Sequence, residues 1–96
     1  MNAIVSVTAL ENYHVKIFFD DGTNFTFDVS PYLYGEVFEP LKDKKLFKQV
    51  KVDKLLGSIF WNTGADFCPD FLYMEMEKMN KRKSAAPKTF LRRKAA

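Results

Sequence analysis

Alternation of apolar and polar positions dominates the first third of the chain. In AIVSVTAL, residues 3–10, Ile4 and the small polar Ser6 alternate with valines, as a β-strand requires. HVKIFF, residues 14–19, places Val15, Ile17 and Phe19 on one face and His14, Lys16 and Phe18 on the other. NFTFDV, residues 24–29, repeats the pattern with Phe25, Phe27 and Val29. Between these last two runs stands DDGT, and Asp-Gly between alternating runs is a strong hairpin signal. ENY before His14 reads as a turn, so the expected arrangement is a three-stranded antiparallel meander.

The middle of the chain is more broken. Ser30-Pro31 ends the third strand and can open a helical turn, with Ser30 as cap and Pro31 at the first helical position. Gly35 and Pro40 punctuate the residues after it. In LKDKKLFKQV, Asp43 is expected to cap a short helix reaching Phe47 or Lys48. VKVD and SIFW resemble two more strands, with Gly57 in the turn between them. The pattern predicts an α+β fold: a small twisted antiparallel sheet of about five strands with short helices on one side.

The stretch NTGADFCPD, residues 62–70, turns the chain from a strand into a helix. Cys68 precedes a proline and is pushed toward extended backbone, while Pro69 suits the first helical position. Asp70 falls in the first turn, where negative charge complements the exposed N–H groups. Leu72, Met76 and Met79 share one helical face. Gly64, Asp66, Pro69 and Asp70 are thereby accounted for as a structural corner, Asp66 accepting a backbone N–H across the turn. The reading sets one domain over residues 1–80 and a basic, flexible tail over 81–96, where Pro87 and a scarcity of apolar groups argue against independent structure.

Charge sharpens that division. Residues 1–77 hold all 12 acidic groups and 7 lysines, a net of −5, whereas residues 78–96 hold 8 basic groups and no acid. The overall +3 is therefore a property of the tail. No apolar run is long enough for a membrane span, and the N-terminal residues lack the pattern of a signal peptide. With Cys68 the only cysteine, the chain is expected in a reducing cytoplasm.

Candidate chemistry is sparse. His14, the only histidine, is far in sequence from Cys68, and neither has an evident third partner for nucleophilic catalysis. Asp66 and Asp70 could be paired carboxylates, but helix starts use aspartate for capping alone. Asp20-Asp21-Gly22-Thr23-Asn24 lacks the glutamate of a calcium loop. The expectation is no enzyme, no cofactor and no metal.

Several spaced motifs resemble a family. The family's habitual ending is Trp, two residues, Gly-Ala-Asp, two residues, Pro, one or two more, then Leu-Tyr, which corresponds here to Trp61, Gly64, Ala65, Asp66, Pro69, Leu72 and Tyr73. Asp21 and Gly22 match its upstream turn and Asp28 the end of its strand. Together these resemble domain-of-unknown-function family 2442, a group of short bacterial proteins, over roughly residues 3–76. Asn62 stands where the family more often has proline, and the basic tail lies outside the pattern. The resemblance implies an α+β fold, no established enzymatic activity and frequent toxin–antitoxin gene neighbourhoods.

Function is then expected to lie in binding. The first expectation is a non-enzymatic protein-binding module, antitoxin-like or an accessory subunit, whose protein partner could be a toxin. Exposed aromatics drawn from Phe18, Tyr32, Tyr34, Phe60 and Trp61 would form one contact, with Tyr34 and Trp61 as anchors, although Trp61 could equally be the centre of the core. Phe90, Leu91, Arg92 and Arg93 of the tail would form the other, apolar anchors among steering charges. The alternative is a nucleic-acid-associated subunit contacting phosphates through Lys81, Arg82, Lys83, Lys88, Arg92, Arg93 and Lys94. An edge strand could also support a homodimer by sheet extension.

Overall fold

A computed structural model describes residues 2–85, with side chains through Lys81. The fold is α+β, but its strands form two three-stranded antiparallel sheets where a single sheet of about five was expected. The first joins β1 (Ile4–Ala9), β2 (His14–Phe19) and β3 (Asn24–Asp28) in that order. The second joins β4 (Lys51–Asp53), β5 (Ser58–Phe60) and β6 (Asp66–Phe67). A one-turn helix, α1 (Lys44–Phe47), precedes β4, and a longer helix, α2 (Pro69–Ala85), comes after β6.

The division into two sheets has a local cause. The β1–β2 register slips between Ile4 and Ser6, so Val5 is an extra residue and the outer edge of β1 bends. The second sheet meets that edge through the Ile4 N–H, which donates to the Gly57 carbonyl at 2.9 Å. Gly57 makes this approach possible: a Cβ there would lie 2.7 Å from the Ala3 Cβ, and its φ is +72°.

The meander obeys the alternation. Val15, Ile17, Phe19, Phe25 and Phe27 are buried on one face, while Phe18, Asn24 and Asp28 lie on the exposed one. The second sheet adds Ile59 and Phe67 to the same core, α2 adds Leu72 and Met76, and the long connection between the sheets adds Val29, Leu33, Leu41 and Phe47. Met79, at the end of the helical face, is half-buried. Four aspartates make the turns: Asp21 bonds Thr23, Asp28 bonds Ser30, Asp43 bonds the Lys45 N–H, and Asp53 bonds the N–H groups of Leu55 and Leu56. Asp43 is thus the expected cap of α1. Ser30 is not the cap of its own turn; it is the donor, giving both N–H and hydroxyl to Asp28.

The corner after Trp61 is itself a hairpin. The Trp61 N–H donates to Ala65 O, Gly64 N–H returns to Trp61 O, and Asp66 and Phe67 then pair with Phe60 and Ile59. Asp66 therefore stands exposed on a two-residue strand, and the side-chain bond across the turn goes instead to Thr63, whose hydroxyl accepts the Ala65 N–H at 3.4 Å and donates to Val37 O of the preceding loop at 2.7 Å. Pro69 opens α2 with Asp70 in its first turn, and the Leu72 N–H bonds Cys68 O. α2 runs on to Ala85, so the boundary expected at residue 80 falls inside the helix.

Candidate partner-binding surface

Among the described residues the most exposed large apolar side chain, Leu55, is on the β4–β5 hairpin. Leu55 is 92% and Leu56 67% exposed, and Val5 on the adjoining bulge is 59% exposed. A shallow groove beside them is lined by Val5, Val52, Lys54 and Gly57. The tip is held rigidly: one Asp53 oxygen accepts both leucine N–H groups, at 2.9 and 3.1 Å, and the Gly57 N–H bonds Asp53 O at 2.7 Å. Lys51 and Lys54 are exposed on the same hairpin. Water-exposed leucines on a fixed backbone lose little entropy when a partner covers them, so the arrangement favours association over chemistry.

A second concave feature lies at the other end of β1. A groove of about 510 Å³ is walled by Leu10, Glu11 and Tyr13 on one side and by Lys44, Phe47 and Lys48 on the other. Asn12 and Tyr13 both have left-handed backbone, with φ of 58° and 60°. Glycine would be the relaxed choice after Asn12 in such a turn. Tyr13 is held there by its neighbours: its hydroxyl donates to Lys42 O and its ring meets Phe47 edge-on at 5.3 Å.

The expected anchors are redistributed. Tyr34 is 71% exposed and Phe18 37%, and Lys16 sits 5.8 Å above the Phe18 ring. Tyr32 and Phe60 are half-buried. Trp61 is the correction: at 2% exposure it is a core residue, its indole N–H bonded to Phe47 O at 2.9 Å and its ring set among Phe38, Phe47 and Phe67. The aromatics outnumber one sheet face because they fill the space between two sheets. Of the tail, Lys81 is exposed on α2, and Arg82 and Lys83 continue that helix. Lys88, Phe90, Leu91, Arg92, Arg93 and Lys94 lie outside the described residues. Leu55 and Leu56 were missed because an apolar pair before a glycine reads equally well as core; their spacing on the tip was the available signal.

The polar groups have structural work. His14 faces the Asn12 carbonyl through Nδ1 at 2.9 Å, and its Nε2 lies 3.9 Å from Asp28. Burial raises the Asp28 pKa, but the Ser30 bonds and His14 outweigh it and the net shift is downward. Asp21 is lowered by the Thr23 hydroxyl, the Thr23 N–H and the Tyr73 hydroxyl, the last bridging the β2–β3 turn to α2 at 2.7 Å. Tyr73 is raised in return, first by its bond to Asp21. Cys68 is exposed, and among the described residues no group of three histidine, cysteine, aspartate or glutamate side chains is placed to hold a metal ion.

The fold and surface define a small α+β domain with a core shared by two sheets and an apolar hairpin tip outside it. The chain belongs to the family described as protein of unknown function, DUF2442, whose model matches residues 4–78. Comparison with curated proteins and with solved structures finds no match. Among the described residues no helix is long and apolar enough to cross a membrane.

Proposed function

We propose that this chain is a non-enzymatic protein-binding module, antitoxin-like or an accessory subunit, that inserts the β4–β5 tip into an apolar pocket of a protein partner such as a toxin. The observation that carries this reading is the exposure of Leu55 and Leu56 on a hairpin already fixed by Asp53. Lys51 and Lys54 beside them favour a pocket with an acidic rim. Tyr34 adds an aromatic contact, and the basic segment 81–96 steers the encounter and contributes Phe90, Leu91, Arg92 and Arg93. The test is affinity for the partner recovered with the full chain from its cytoplasm. Leu55→Ser/Leu56→Ser should weaken binding by about 100-fold, two hot-spot side chains, while thermal stability is unchanged. Unaltered affinity would discard the tip as the anchor.

A second reading rests on the positive charge of residues 78–96. In it the tail contacts nucleic-acid phosphates through Lys81, Arg82, Lys83, Lys88, Arg92, Arg93 and Lys94 while the acidic body docks protein. Binding to duplex or single-stranded nucleic acid should then weaken steeply with salt. Neutralising Lys88, Arg92, Arg93 and Lys94 together should flatten that slope. Salt-independent binding, or none, removes the second reading and leaves the first standing.

A further inference from the structure

Among the described residues the outer edge of β3 pairs with no strand, and its hydrogen-bonding phase is determined. The Phe19 N–H donates to Thr23 O and the Val29 N–H to Tyr13 O, bracketing the β2–β3 ladder in which Ile17 faces Phe25 and Val15 faces Phe27. Antiparallel ladders alternate bonded and non-bonded pairs, so Phe25 and Phe27 direct their backbone groups at β2. Asn24, Thr26 and Asp28 therefore direct theirs away from the sheet. Among the described residues none of these six N–H and C=O groups has a hydrogen-bond partner.

Edge strands are usually protected by lysine, proline or a bulge. The opposite edge of this sheet has a bulge at Val5, whereas β3 has none of the three. Its sequence, Asn-Phe-Thr-Phe-Asp, also reads nearly the same in both directions. We propose that β3 pairs antiparallel with β3 of a second copy of this chain, on a two-fold axis through Thr26, giving one continuous six-stranded sheet.

Three considerations select this register. Pairing about Thr26 sets Thr26 against its counterpart and Asn24 against Asp28 at both ends, so all six open groups of each copy are used. A two-fold through Phe25 or Phe27 leaves some of them unpaired, and one through Asp28 would oppose two carboxylates. Within the Thr26 register Asn24 can donate its amide N–H to Asp28 Oδ2, since Ser30 occupies Oδ1. The rings of Phe25 and Phe27 stay in each copy's own core, so pairing requires no repacking. Five residues of strand make a small interface, and the dimer is accordingly weak and concentration-dependent. This face is distinct from the hairpin tip, and the inference does not rest on the proposed function.

The test is sedimentation velocity on the full chain up to roughly 1 mM, the range in which a contact of this size is populated. Wild type should shift from monomer toward dimer. Thr26→Pro removes only an outward N–H and should leave a folded monomer, as its amide NMR spectrum would show. Asn24→Lys should tighten the dimer roughly fivefold or more at low salt, through two exposed pairs with Asp28, and lose that gain at high salt. Should Thr26→Pro fail to fold, Asn24→Lys decides alone. A wild type that stays monomeric overturns the proposal, as does a folded Thr26→Pro chain that dimerises like wild type. An Asn24→Lys chain that dimerises no more tightly overturns the register.

Discussion

Two of the hairpins that turn on a glycine with positive φ, at Gly22 with 87° and Gly64 with 103°, differ in how they are held. The β2–β3 turn supplies its own bonds: one Asp21 oxygen accepts the Thr23 N–H at 2.9 Å and the Thr23 hydroxyl at 2.6 Å. Nothing lies within 4 Å of where a Gly22 Cβ would stand. The β5–β6 turn has bonds of its own, Gly64 N–H to Trp61 O and Ala65 N–H to Thr63 Oγ1, and is tied from outside as well: Thr63 donates to Val37 O, and a Cβ on Gly64 would lie 3.2 Å from Val37 Cγ1. The first is a local device that can form before the rest of the fold. The second is in addition bonded to the 34–38 loop, and it orients the strand that leads into α2.

The largest effect is expected at the core beneath the second turn. Trp61→Ala removes a buried indole and leaves the Phe47 carbonyl without its donor, and should cost about 3–5 kcal/mol. Urea denaturation measures it; a cost near that of a surface change would mean the indole is not the centre of the core. Gly64→Ala should cost about 2 kcal/mol, combining left-handed strain with a tight contact at Val37 Cγ1. Gly22→Ala should cost only about 1 kcal/mol, because the strain acts there without a clash. Equal costs at the two glycines would remove the distinction between a local and a tertiary turn.

The smallest effect sharpens the comparison by pH. The Asp21 carboxyl is lowered from its ordinary 3.8, so its contribution is fully present above that value and is lost as pH falls through the lowered native one. Tyr73 is raised above 10.0, so its part of the same contact is present below that pH and is lost as pH rises through the native value. Asp21→Asn should flatten the acid limb of the stability curve while leaving the Gly64 turn untouched. An unchanged acid limb would show that the Asp21–Tyr73 bond does not couple the first turn to α2.

Much of this was legible in the chain. Alternation located β1, β2 and β3, Asp-Gly located their hairpin, Asp43 located α1, and Pro69 with the Leu72–Met76–Met79 spacing located α2. Each of these is a relation among residues within a few positions of one another. Trp61 was harder, because an aromatic residue at a strand end suits a surface anchor as well as a core centre. Its burial depends on Phe38, Phe47 and Phe67 arriving from three separate segments.

Local elements and their caps are therefore readable along the chain, since period, turn chemistry and aspartate capping act over short stretches of backbone. Only the tertiary structure decided how many sheets they make and which apolar groups stay outside. The bulge at Val5 breaks the pairing at the outer edge of β1, Gly57 lets the second sheet join that edge closely, and β6 exists only because the 61–65 turn folds Phe67 back onto Ile59. Leu55 and Leu56 are left in water for the same reason: Asp53 fixes a hairpin whose tip points away from the core it helps to close. Strand formation is dictated by neighbours along the chain, whereas burial is dictated by neighbours in space.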